Sequence, residues 1–126
     1  MSSIECDQFI ARPPAAVWRV LTEPGLHAKW WAAGDIKPEV GHRFTLDMGS
    51  WGVQQCEILD VEPEKLLRYT FAEGVLDTTI TWRLEPEGDG TRLFLTHDGF
   101  PPGSTALEGM GRGWPGLLRR IEDVAG

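Results

Sequence analysis

Between Gly41 and Asp98 the sequence adopts a two-residue apolar period and keeps it through five short runs. Phe44, Leu46 and Met48 mark the first run and Val53 to Val61 the second. Leu67, Tyr69 and Phe71 form the third, Ile80, Trp82 and Leu84 the fourth, and Leu93, Leu95 and His97 the fifth. Turn-forming stretches separate them: Gly49-Ser50-Trp51-Gly52, Glu62-Pro63-Glu64, Ala72-Glu73-Gly74 and the polar tract from Glu85 to Gly90. Successive side chains of a strand point to opposite faces, so this pattern predicts an antiparallel meander with one buried face. A single layer cannot bury its own apolar face, and another element must cover it.

The tail supplies that cover. Leu107, Met110, Trp114, Leu117, Leu118 and Ile121 fall on one stripe at helical spacing. Gly109, Gly111 and Gly113 weaken the first half of this helix by roughly 1 kcal/mol each relative to alanine. They either bring the helix close to the sheet or mark a flexible lid. Pro115 removes an internal hydrogen bond and predicts a kink unless the firm helix starts near it. Ahead of the meander, Ile4, Cys6, Gln8 and Ile10 share one face of a first strand. Pro13 and Pro14 halt that strand and suit the start of a helix carrying Val17, Trp18 and Leu21. Thr22 with Glu23-Pro24-Gly25 is expected to end it and cap a second short helix running to Trp30 and Trp31. The chain therefore reads as an α+β fold. A curved antiparallel sheet of about six strands wraps a long C-terminal helix, with two short helices after the first strand and a tryptophan-rich apolar pocket between the layers.

A chain of 126 residues fits one domain, residues 1–126. The net charge of −7 opposes non-specific binding to nucleic acid or anionic lipid, both of which need a basic surface. Met1 to Phe9 has no apolar core of the signal-peptide kind, and no stretch is long enough to span a bilayer, so no membrane insertion and a cytoplasmic location are expected. Cys6 and Cys56 are too few and too far apart for a metal knuckle or a CxxC redox pair. Two reduced thiols are the simpler reading, with a disulfide the alternative. His27, His42 and His97 share no metal-ligand spacing, so neither a metal nor another cofactor is expected.

Four stretches in order give the chain a likeness. They are Pro13-Pro14-Ala15-Ala16-Val17-Trp18 with Leu21-Thr22-Glu23-Pro24 and Lys29-Trp30-Trp31, then Asp60-Val61-Glu62-Pro63 with Leu67-Arg68-Tyr69-Thr70-Phe71. Gly90-Thr91-Arg92-Leu93 running into Thr96-His97-Asp98-Gly99-Phe100 follows, and Gly113-Trp114 with Leu117-Leu118 closes the set. On these the chain resembles the START-like, Bet v 1-like superfamily (SRPBCC). More narrowly, it resembles the activator of Hsp90 ATPase homologue 1-like family in its small bacterial form. The resemblance implies a helix-grip architecture with a hydrophobic cavity between sheet and long helix. It implies less about chemistry, because the superfamily spans lipid carriers, hormone receptors, allergens and polyketide cyclases. Arg12 stands where a small residue is usual, and the chain ends soon after Ile121, which suggests a short last helix.

Six tryptophans supply the candidate ligand surface. Trp18 reads as packing. Trp30 and Trp31 are adjacent on a helix, so one packs and the other lines an entrance. Trp51 sits in a turn, where a large apolar ring is unexpected unless it covers a cavity mouth. Trp82 and Trp114 face the interior and either stack on a planar ligand or fill the core. The ligand-binding candidates are thus Trp31, Trp51, Tyr69, Trp82, His97, Met110 and Trp114. His97 has the parity of Leu93 and Leu95 and is either an acid–base or ligand-anchoring group or a histidine satisfied by backbone at a strand end. Glu57 lies between apolar neighbours on both faces; it points inward as a polar anchor or general base, or a β-bulge turns it to water. Tyr69 carries the one phenol. His27 and His42 read as surface residues.

No nucleophile elbow, P-loop, dinucleotide fingerprint or Ser/His/Asp pattern occurs. Three functions are open: binding of a small hydrophobic or aromatic ligand, a cyclase- or dehydratase-like enzyme using His97, Glu57 and Tyr69, or an Hsp90 co-chaperone-like interaction protein. The expected partner is a small hydrophobic molecule, with the chain acting as a monomer or homodimer.

Overall fold

The computed structural model describes residues 2–125. Strand β1 (Ser2–Ile10) buries Ile4 and Ile10 on the face read from the alternation and turns Phe9 outward. Helix α1 (Pro14–Thr22) starts on Pro14, whose missing N–H costs nothing in the first turn. The carbonyl of Pro13 accepts the N–H groups of Ala16 and Val17 at 3.0 and 3.2 Å. Helix α2 (Pro24–Trp30) repeats the device with Pro24. Thr22 does not cap it. Its hydroxyl donates back to the Trp18 carbonyl at 2.8 Å, and the Glu23 carbonyl opens α2 by accepting from Leu26 and His27.

The sheet has the order β1-β7-β6-β5-β4-β3-β2, and every pairing is antiparallel. The five alternating runs become β3 (Arg43–Asp47), β4 (Val53–Glu62), β5 (Leu66–Phe71), β6 (Thr78–Glu87) and β7 (Gly90–Phe100). The seventh strand, β2 (Ala33–Gly34), has two residues, too few for a period to register. Gly34 fits there because the Thr45 carbonyl of β3 occupies the place of a β-carbon. Between Ile58 and Asp60 the β4–β5 register slips. One extra residue reverses the parity of a strand, so the inward set moves from Gln54, Cys56 and Ile58 to the half-buried Leu59 and Val61.

Helix α3 (Thr105–Ala125) has 21 residues, so it is long rather than short, and it continues through Pro115. It packs across β1, α1 and α2 and buries Ala106, Trp114, Leu118 and Ile121 against the sheet. The Glu122 carboxylate accepts the Ala11 N–H at 2.9 Å, fixing the far end of the helix to the β1–α1 link. Gly109, Gly111 and Gly113 are not required for close approach. A β-carbon at 109 or 113 meets nothing within 4 Å, and one at 111 makes ordinary contact with Ile4 at 3.9 Å. Together these elements form a helix-grip α+β fold.

Cys6 and Cys56 are free thiols. Three strands lie between β1 and β4. With strands about 4.8 Å apart, and with Cys56 five residues along β4 from the position in register with Cys6, the two lie beyond the ~7 Å limit of a disulfide. Burial pushes the Cys56 thiol up to about 12.

Candidate functional site

The inner face of the sheet carries a tryptophan-centred cluster joined by hydrogen bonds. Trp82 of β6 donates its indole N–H to the Tyr69 hydroxyl of β5 at 3.1 Å. Trp114 of α3 donates to Nδ1 of His97 on β7 at 3.1 Å, and Nε2 of His97 lies 2.8 Å from the Thr78 hydroxyl. An indole N–H can only donate, so Nδ1 is the acceptor and Nε2 carries the proton. The Thr78 hydroxyl accepts the hydrogen bond from Nε2–H and donates its own to the Phe71 carbonyl at 3.1 Å. The chain Trp114–His97–Thr78–Phe71 thus runs in one direction and leaves neither imidazole nitrogen free. Burial lowers the His97 pKa to about 3, which keeps the ring neutral, and burial raises that of Tyr69.

The rings fill the space between the layers. Trp82 and Trp114 meet edge to face at 5.6 Å, and Trp30 meets Trp82 in the same way at 5.7 Å. Trp82, Trp114, His97 and Tyr69 are buried. An open cleft lies between the first turns of α3 and the 3-10 turn Gly49–Trp51 that follows β3. Met48, Trp51, Thr105, Ala106, Gly109 and Met110 line a volume of about 360 Å³.

The sequence candidates therefore separate. Trp51 and Met110 line the cleft. Trp31 is half-buried and outside the cleft lining, with its ring 5.0 Å from Trp114 and 5.5 Å from Phe71. Tyr69, Trp82, His97 and Trp114 belong to the packed interior. Of the acid–base candidates, Glu57 is set apart by the β4 parity. It lies on the outer face, 2.6 Å from Arg43, which also reaches Glu73 at 2.9 Å. His97, Glu57 and Tyr69 do not converge.

His27 corrects the surface reading. It is 1% exposed, within the core, while His42 is half-buried with its ring nitrogen 2.7 Å from the Asp35 carbonyl. Nδ1 of His27 donates to the Ala32 carbonyl at 2.8 Å, and burial lowers its pKa. Its place was legible in one respect: His27 precedes Trp30 and Trp31 by the three and four residues that put side chains on one helix face. Among the described residues, no group of three or more His, Cys, Asp or Glu side chains could hold a metal ion, and no helix is long and apolar enough to cross a membrane.

The family model "Activator of Hsp90 ATPase homolog 1-like protein" matches residues 11–126. A crystal structure of a Mesorhizobium loti protein superposes with a TM-score of 0.91 at 37% identity, covering 98% of this chain and 96% of that one. A Bacillus halodurans protein gives 0.87 at 27% identity, covering 100% and 98%. The Aha1 dimer of Colwellia psychrerythraea gives 0.84 at 18% identity over 99% and 96%, a likeness of fold. No curated protein matches at a significant level. With a family model spanning nearly its whole length and a 37% identical relative aligned end to end, the chain belongs to the activator of Hsp90 ATPase homologue 1-like family.

Proposed function

We propose that the chain binds a small apolar molecule without transforming it, in the cleft between α3 and the turn after β3. The observation that carries this reading is the cleft wall. Met48, Trp51 and Met110 surround it with two thioethers and an indole, and Thr105 adds a hydroxyl. None of the six lining residues is charged. Trp51 stays 49% exposed, and an uncovered indole flanked by other apolar side chains is the mark of a surface that takes a partner. The volume of about 360 Å³ lies at the lower end of the ~300–1,000 Å³ range of small-molecule sites. Sulfur against an aromatic ring adds an attraction of about 0.3–1.5 kcal/mol, which favours flat unsaturated ligands. The site is complete within one chain, whether the protein works as a monomer or a homodimer, and a cytoplasmic setting suits the reading.

A thermal-shift screen against fatty acids, sterols, flavonoids and polyketides tests it. A ligand at a hundred times its Kd adds about 2.7 kcal/mol of stability, a rise of several degrees in Tm. Gly109→Leu locates the site. Open space surrounds a β-carbon at that position, so the variant keeps the fold while its side chain fills the cleft. Loss of the shift is expected; a shift that persists places binding elsewhere, and no shift with any class overturns the proposal. The acid–base alternative requires convergence of His97, Glu57 and Tyr69, and the co-chaperone alternative rests on the family name. A pull-down with the host Hsp90 is expected to be empty.

A further inference from the structure

Among the described residues, one buried side-chain nitrogen or oxygen has no hydrogen-bond partner: Nε2 of His27. A carbonyl can only accept, so the bond to Ala32 puts the proton on Nδ1 and leaves Nε2 with a bare lone pair. Leaving a buried acceptor unpaired costs about 1–3 kcal/mol, and native proteins rarely do so without a use for it. The neighbouring indoles cannot serve it. Trp30 donates to the Val20 carbonyl at 2.9 Å, Trp82 to Tyr69 and Trp114 to His97.

Trp31 is the exception among these rings. Its centroid lies 5.6 Å from His27, 5.6 Å from Trp30 and 5.0 Å from Trp114, yet the residue is half-buried and its N–H bonds to no described residue. It is also the residue on which α2 ends, with φ −137° and ψ −80°, outside the helical and extended regions. An aromatic plug thus sits at a helix end, over a box of aromatic rings that contains one unclaimed acceptor. On α3, Met110 of the cleft and Trp114 of the box lie four residues apart on one helix face, so the helix that walls the cleft also walls the box.

We propose that Trp31 is the gate of an inner subsite continuous with the cleft, and that His27 Nε2 is the acceptor that anchors a ligand there. The ligand's ring takes the place of the Trp31 indole against Trp30, Phe71 and Trp114, and its hydroxyl donates to Nε2. The inference rests on the cleft being the ligand site and adds a chemical class. Aromatic walls select a flat ring, and a lone acceptor selects a donor over a carbonyl. A site with no cation, in a chain of net charge −7, selects a neutral molecule over an anion. An uncharged phenol has all three properties.

The full-length chain is titrated with 2-naphthol and with 2-methoxynaphthalene, which has the same rings and no donor, while long-range proton–nitrogen spectra follow the histidine rings. The naphthol is expected to bind about tenfold more tightly, the ratio that one good hydrogen bond supplies. Its binding should move the His27 Nε2 resonance and leave both His97 nitrogens in place. Trp31→Ala should raise naphthol affinity roughly threefold or more, because removing a gate lifts the share of binding-competent molecules; loss of affinity would mark Trp31 as mere packing. His27→Phe should abolish the preference and retain the methoxy compound, and if that variant does not fold, the wild-type spectra decide alone. Equal affinities, or an unmoved Nε2 with shifts confined to the Met48 and Met110 methyls, overturn the gate and leave the cleft reading standing. Failure of both naphthalenes alongside hits in the wider screen does the same, and failure of both experiments removes the two proposals together.

Discussion

His97 shows how a residue suited to catalysis can be committed to structure. The inward parity of β7 is legible in Leu93, Leu95 and His97, but parity cannot tell whether an inward histidine meets a cavity or a partner. The partners are Thr78, one strand away, and Trp114, on a helix that returns only after the sheet is complete. This commitment predicts acid sensitivity. The unfolded chain protonates this ring near pH 6.5 and the folded one only near 3, so its contribution is complete above pH 6.5 and drains as pH falls toward 3. From pH 7 to 4.5, His97 alone should remove about 2–3 kcal/mol, read from urea unfolding curves, and buried His27 acts in the same direction. His97→Gln, which retains a donor and an acceptor, should flatten that slope. Thr78→Val keeps the shape but strands the His97 N–H, and should cost about 1–3 kcal/mol at pH 7 by the same measurement.

At the scale of elements, periodicity carries a long way where an element is long and uniform. The five alternating runs and the apolar stripe of α3 became strands and a helix, because burying one face is the dominant demand on each. It fails where one residue decides. Glu57 follows the outward parity set by Cys56 and Ile58, while the slip after Ile58 turns Leu59 and Val61 inward, and no single-sequence signal marks the extra residue. Glycines are likewise silent about their reason. The three in the first half of α3 suggest close packing, yet a β-carbon fits at each of them. Gly109→Ala, Gly111→Ala and Gly113→Ala should therefore each stabilise the protein by about 0.5–1 kcal/mol, seen as a higher Tm. Gly90→Ala should do the reverse by about 1–3 kcal/mol, since its β-carbon would press on the Ile10 carbonyl and the Phe9 ring.

For the whole molecule, the order of motifs gave the helix-grip plan, while the state of its interior lay beyond pattern reading. Trp82, Trp114 and Tyr69 are as consistent with lining a cavity as with filling one, and only their mutual edge-to-face contacts and hydrogen bonds decide. The sheet order has another consequence. Pairing Ile4 with His97 and Ile10 with Thr91 joins the first strand to the last, whereas β3 to β7 pair with their immediate neighbours in sequence. Local hairpins close at small entropic cost and long loops at greater cost, so the meander should form the folding nucleus, with β1 docking late. Ile10→Val is expected to accelerate unfolding and leave the refolding rate nearly unchanged in stopped-flow traces, whereas Ile80→Val should slow refolding. On a ribosome the N-terminal strand emerges first, yet its partner is made about 5 to 20 seconds later at ordinary elongation rates. Through that interval its apolar face and backbone donors stay open to chaperones and to other nascent chains.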